Sequence, residues 1–303
     1  MNSRNIASVL KILFWGIIAM IAGLLLFSFY KGNNPFETIT PDQGPLSVLH
    51  EETITEEIIS VNLSWNVGGV KVIVSKDDKI HLIERSYVAV SKSKWVITST
   101  ANKTLKISSG NKNSFFFLFW HTPATYLELQ LPAKTYDTFK FNVISGKNEL
   151  SDLSVNLLDV NSTSGSISIK NLLADTLKLN MTSGNISIGN ATIHTFDAVM
   201  TSGNMIYDGL VDKRLGLTMT SGQFNSDLRG TAPQSIDFQM TSGQAHFTLA
   251  APADFRLSLS KTSGSFSADF DHSQNGNTYT YKNGRDDYRL KMTSGSLTFS
   301  VQD

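Results

Sequence analysis

Apolar and polar positions alternate with a period of two through most of the chain beyond residue 55, and the alternating unit itself repeats. Ser-Gly recurs at Ser145, Ser164, Ser183, Ser202, Ser221, Ser242, Ser263 and Ser294, with spacings of 19, 19, 19, 19, 21, 21 and 31 residues. Thr precedes every copy but the first, and the full string Met-Thr-Ser-Gly stands at 181–184, 200–203, 219–222, 240–243 and 292–295. The sixth residue before each Ser is Phe139, Leu158, Leu177, Phe196, Leu215, Ile236, Leu257 or Tyr288, bulky and apolar in body every time. The fourth and second positions before it continue the inward row, the second being Met in five copies and Lys only at Lys261. Polar residues such as Lys178, Asn180, Asp197 and Asp237 fill the positions between. This is strand periodicity, held in phase across every copy.

A fixed period near twenty residues predicts a solenoid in which one repeat is one coil. Each coil holds a leading strand before the Ser-Gly and a shorter trailing strand after it, with pairs such as Ile167 and Ile169, or Ile186 and Ile188, pointing inward. Stacked in parallel about 4.8 Å apart, equivalent residues become columns. A single coil cannot bury its apolar face, so only the stack is stable. The longer spacings are expected to fall in turns, where Asp227 to Ser235 and Asp271 to Asp287 are rich in turn-forming residues. The predicted fold class is therefore all-β, a parallel β-solenoid or β-helix of about eight coils of 19–21 residues, with an N-terminal β cap and one preceding transmembrane helix.

That helix is predicted over residues 12–30, Ile12 to Tyr30, which carry no charge and at about 1.5 Å per residue would span a bilayer core. Arg4 and Lys11 precede it and no acid occurs in the first thirty residues, so the expected topology is single-pass with residues 1–11 cytoplasmic and the remainder outside the cell. The absence of a clear cleavage site after Phe29 favours an anchor over a signal peptide. Residues 31–55, with Pro35, Pro41 and Pro45, read as a linker; 56–135 as an irregular β cap; and 136–303 as the solenoid.

Composition narrows the function classes. The 303 residues include no cysteine, which excludes disulfides, thiolate metal sites and a cysteine nucleophile. Lys plus Arg and Asp plus Glu are equal at 26 each, so no overall field draws the chain to nucleic acid. Sequons stand at Asn62, Asn102, Asn180, Asn185 and Asn190, the last three within eleven residues; glycans so dense would crowd the pairing of a sheet, which favours a bacterial envelope.

The segment Phe115, Phe116, Phe117, Leu118, Phe119, Trp120 breaks the alternation. A strand hides only every second side chain, so this run is either packed under the cap or in contact with the bilayer or a partner. The histidines show no metal or triad spacing, and no G-x-S-x-G or phosphate loop occurs. Asp208 and Asp227 both lie six residues after their Ser and should be neighbours on adjacent coils, with Asp269 expected two coils beyond Asp227. Stacked carboxylates can bind calcium or divide acid and base duties in glycoside cleavage, but Asp at a turn start has ordinary reasons to be there. The eightfold Thr-Ser-Gly reads as corner chemistry, and the Met row as core filler.

Val67-Gly68-Gly69-Val70-Lys71-Val72-Ile73-Val74 followed by Lys76-Asp77-Asp78, the run Leu127-Glu128-Leu129-Gln130-Leu131-Pro132, and the serial Thr-Ser-Gly together resemble the bacterial putative-adhesin family of β-strand-repeat proteins of unknown function. The resemblance covers roughly residues 55–303. It implies a membrane-anchored or surface protein, of a kind several of whose members are encoded beside cell-envelope stress systems in Gram-positive bacteria. It supplies no catalytic residue and no cofactor. The expected function is a non-enzymatic, adhesin-like or envelope-stress accessory protein held in the lipid bilayer through residues 12–30 and binding a protein or glycan at the cell surface. The alternatives are a β-helix carbohydrate-active enzyme and a regulator of a membrane signalling system.

Overall fold

Leu177, Phe196 and Leu215 lie one above another, paired strand to strand, and all three are essentially inaccessible to solvent. In the computed structural model, which describes residues 45–110 and 124–302, the repeats wind into a stack of parallel coils within one unit, Leu46–Asp303. The 12–30 segment and the 115–120 aromatic run lie outside the described residues. Among the described residues no helix is long and apolar enough to cross a membrane.

The leading strands Thr135–Val143, Ser154–Ser162 and Leu173–Met181 stack in register, followed by the second halves of Asn185–Met200 and Asn204–Met219 and by Ser235–Met240. The trailing strands Lys147–Ser151 and Ser166–Lys170 form the other wall, joined by the first halves of the two long strands and then by Gln223–Leu228 and Gln244–Ala250. The inward columns form one continuous hydrophobic core, each large side chain adding on the order of 1.5–3 kcal/mol of burial. Met181, Met200, Met219, Met240 and Met292 make one such buried column.

Space and sequence part company at both ends. The last coil in the chain, Asp286–Met292 with Ser296–Gln302, is inserted between the coil of Ser235–Met240 and that of Phe255–Lys261. The Ser263 coil is therefore terminal, which explains Lys261: its Met-column position is open to solvent there. The N-terminal end repeats the device. Ser60–Trp65 and Gly68–Val74 form a regular coil directly against the Thr135–Ser151 coil, while Thr104–Ser108 and Thr125–Leu131, later in sequence, stack outside it.

Antiparallel strands close the ends. Ile80–Ser86 pairs with Thr125–Leu131, Ser47–Ile54 pairs with Ile80–Ser86, and Ile97–Ala101 pairs with Thr104–Ser108. The expected linker thus ends early, because Ser47–Ile54 is an edge strand in which only Ile54 is fully buried, so its alternation is hidden. At the other end the long insertion is more than a turn: Ser273–Asn275 and Thr278–Tyr281 form a hairpin on Phe255–Lys261. Tyr279 and Tyr281 cover Phe266 and Phe270 there, shielding apolar columns that would otherwise end in water.

Candidate functional site

The Thr-Ser-Gly corner is structural. Gly68, Gly146, Gly165, Gly184, Gly203, Gly222, Gly243, Gly295 and Gly264 stack in that order with φ between +90° and +123°. From Gly146 onward, a Cβ on any of them would sit closer than 3.0 Å to the carbonyl oxygen of the glycine before it in the stack. Left-handed backbone and the lack of room both demand glycine. From Ser164 onward each Ser N–H donates to the carbonyl one coil away, as Ser164 to Ile144 at 2.8 Å and Ser294 to Thr241 at 2.9 Å. The Ser164 and Ser294 hydroxyls donate to the same oxygens at 3.1 and 3.2 Å. These hydroxyls are spent on the backbone.

Asp208 and Asp227 are neighbours, as expected, but sequence reasoning missed the cation between them. Arg229 Nη2 donates to Asp208 Oδ2 at 2.8 Å and its Nε to Asp227 Oδ2 at 3.1 Å. One guanidinium offsets half the charge of the two carboxylates, and a pair bridged this way presents neither a free acid–base couple nor an empty cation cradle. Beside it Tyr207 is buried, which pushes its hydroxyl far above the usual tyrosine range, with the Asp208 charge acting in the same sense; its O–H donates to the Leu210 carbonyl at 2.9 Å. Asp269 is three coils beyond Asp227, through Thr248 and Ser300, because the last coil intervenes.

The more extensive polar surface is the outward face of the leading strands. One column across it reads Lys140, Asp159, Lys178, Asp197, Gly216, Asp237, Arg289. Its signs alternate, with one exception: Gly216 has no side chain, and Arg214 from the same strand lies over it, paired to Asp197 and 4.0 Å from Asp237. The alternation thereby continues through the gap. The next column carries a hydrogen-bonded amide ladder, Asn180 Nδ2 to Asn161 Oδ1 at 3.0 Å and Asn161 Nδ2 to Asn142 Oδ1 at 3.1 Å, and beyond it Val199 stands 51% exposed.

Two adjoining concavities open on this face. One, about 300 Å³, is lined by Lys178, Asn180, Asp197, Val199, Arg214 and Asp237. The other, about 500 Å³, includes Asn142, Ile144, Asn161, Asn180, Val199 and Thr201. Shared Asn180 and Val199 make them one groove running along the stack. Its charges balance, Lys178 and Arg214 against Asp197 and Asp237, so it suits a ligand of no strong net charge that offers amide or hydroxyl groups and small apolar contacts. The groove was not read from the sequence, although the alternating signs at the fifth residue before each Ser would have shown the column. Among the described residues no group of three or more His, Asp or Glu is arranged to hold a metal.

The family model described as Toastrack DUF4097 matches residues 58–300. The chain belongs to the Toastrack DUF4097 family. The match begins at the first regular coil and ends in the last inserted one, so it takes in both out-of-order ends of this Toastrack chain. No curated protein matches it. Similar solved structures include a putative lipid binding protein from Parabacteroides distasonis, 11% identical over 84% of this chain and 96% of that one, with a TM-score of 0.48. Others are a putative adhesin from Bacteroides fragilis, 12% identical over 83% and 96% with a TM-score of 0.38, and a putative cell adhesion protein from Clostridium sporogenes, 14% identical over 84% and 100% with a TM-score of 0.25.

Proposed function

We propose that this chain is a non-enzymatic, adhesin-like protein of a bacterial cell envelope, anchored by residues 12–30 with the Toastrack unit outside the cell, and that it holds an extended segment of a surface protein in the leading-face groove. The observation that carries the reading is the continuity of the groove across adjacent coils, with the Asn142, Asn161 and Asn180 amides beside the exposed Ile144 and Val199. Coils about 4.8 Å apart present like groups in series along the groove, which suits an elongated ligand. The residues that line the two concavities include no aromatic ring, whereas sugar binding commonly uses ring faces, and this favours protein over glycan.

The test is surface crosslinking on intact cells followed by recovery of the full chain. Asn161→Arg with Val199→Arg would fill the groove from two coils and is expected to remove the principal protein adducts while leaving β-type circular dichroism unchanged. An unchanged adduct pattern, or adducts lost on glycan removal rather than on substitution, would refute the assignment. Protease treatment of intact cells should release the 46–303 unit; protection of that unit would refute the topology.

A further inference from the structure

The trailing strand of the terminal coil, Ser265–Asp269, pairs along one edge only, with Ser296–Gln302. Its other edge takes no strand among the described residues: the closing hairpin extends the opposite wall, on Phe255–Lys261. Ser265 N–H donates to Gly295 O at 3.0 Å, so by strand alternation Ser265, Ser267 and Asp269 present their backbone groups to the covered side and Phe266 and Ala268 present theirs to the open side. Neither proline nor an inward charge guards this edge, and natural sheets ordinarily protect such edges.

We infer that this edge is a contact between two copies of the chain, paired antiparallel about a two-fold axis at Ser267. The strand is complementary to itself in three respects. The open N–H and C=O groups of Phe266 meet those of Ala268 in the second copy, and the reverse, making the hydrogen-bonded pairs of an antiparallel ladder. The large Phe266 side chain falls opposite the small Ala268. Asp269 falls opposite Ser265 of the second copy, next to the Gly264 carbonyl on which that copy's Lys261 ammonium rests at 3.4 Å; both Lys261 and Asp269 are exposed, and the two-fold axis makes this charge match twice. Pairing of this kind joins the stacks end to end with the two Leu46 residues at opposite extremes, an arrangement suited to joining two facing surfaces. Only that last step rests on the anchored reading above.

The chain contains no cysteine, so Ser267→Cys introduces a unique thiol. Non-hydrogen-bonded partners of an antiparallel pair have Cα atoms about 4.5 Å apart, within the disulfide range. The full chain carrying Ser267→Cys, solubilised in detergent and mildly oxidised, is expected to give a reducible dimer. Ser187→Cys, equally outward on a trailing strand but paired on both sides, is expected to give none. Asp269→Lys in the Ser267→Cys background should abolish the dimer, and adding Lys261→Asp should restore it. No dimer with Ser267→Cys, or equal dimer with Ser187→Cys, overturns the pairing. In phosphatidylcholine vesicles bearing the full chain, clustering that Asp269→Lys removes supports the joining of surfaces; dimer without clustering overturns that step alone and leaves the pairing in place.

Discussion

Met292 lies in register beside Met240, 52 residues earlier in the chain, with Lys261 on its far side. Had the coils stacked in sequence order, Lys261 would sit inside the Met column and Met292 at its open end. The inverted order predicts opposite responses to exchange. Met292→Lys places a charge in a site only 1% exposed and should cost on the order of 3 kcal/mol or more, whereas Lys261→Met should stay within about 0.5 kcal/mol. Urea denaturation midpoints at constant m-value decide the matter; a larger loss for Lys261→Met would refute the observed order.

The glycine column makes a second comparison. A Cβ at Gly203 meets the Gly184 carbonyl and the φ is +112°, so Gly203→Ala combines backbone strain with overpacking and should cost roughly 2–4 kcal/mol. At Gly189 an added Cβ has nothing within 4 Å, and Gly189→Ala should be neutral or stabilise by up to about 1 kcal/mol. Equal losses at the two positions would mean that the corner tolerates a side chain.

The eightfold repeat made the coil, its two strands and the inward columns legible, because period-two burial leaves a mark on every residue. What escaped notice obeys no such period. The end inversions depend on which coil each new strand joins, and Lys261 and the 31-residue spacing before Ser294 were their only traces. Ser47–Ile54 escaped because an edge strand with exposed faces has no need to alternate. Of the site residues, Asp208 and Asp227 followed from register alone, but Arg229 reaches them from beyond the strand end, and the Gly216 gap filled by Arg214 depends on side-chain direction rather than position.

Arg229 also sets the electrostatics of its carboxylate pair. Without it, Asp208 and Asp227 would stand on adjacent strands about 5 Å apart with like charge. Arg229→Ala is expected to lower stability by about 1 kcal/mol or less, since all three groups are partly exposed and screened. In a chain carrying Asp208→Asn and Asp227→Asn the same substitution should cost nearly nothing. A double-mutant cycle from chemical denaturation measures the difference; equal costs in both backgrounds would show that Arg229 acts through packing instead.

Glu84 offers the last test, at the N-terminal end. It points inward from Ile80–Ser86, is 0% exposed, and accepts the Val96 N–H at 2.7 Å through Oε2, while Oε1 has no hydrogen-bond partner. Burial raises its pKa above the ordinary value of 4.5, although the Val96 hydrogen bond, Thr125 and His50 act in the opposite direction. With the folded pKa above the unfolded one, the folded state holds the proton more tightly, so this group's contribution to stability is fully present below pH 4.5 and is lost as pH rises through the folded value. Glu84→Gln keeps an acceptor for Val96 and removes the charge. The variant should therefore gain stability relative to the parent as pH rises from 4 to 8, with the difference levelling once the parent carboxyl is fully ionised. Denaturation midpoints across that range measure it, and a difference that shrinks with rising pH would show that ionised Glu84 is stabilised by its surroundings rather than penalised by them.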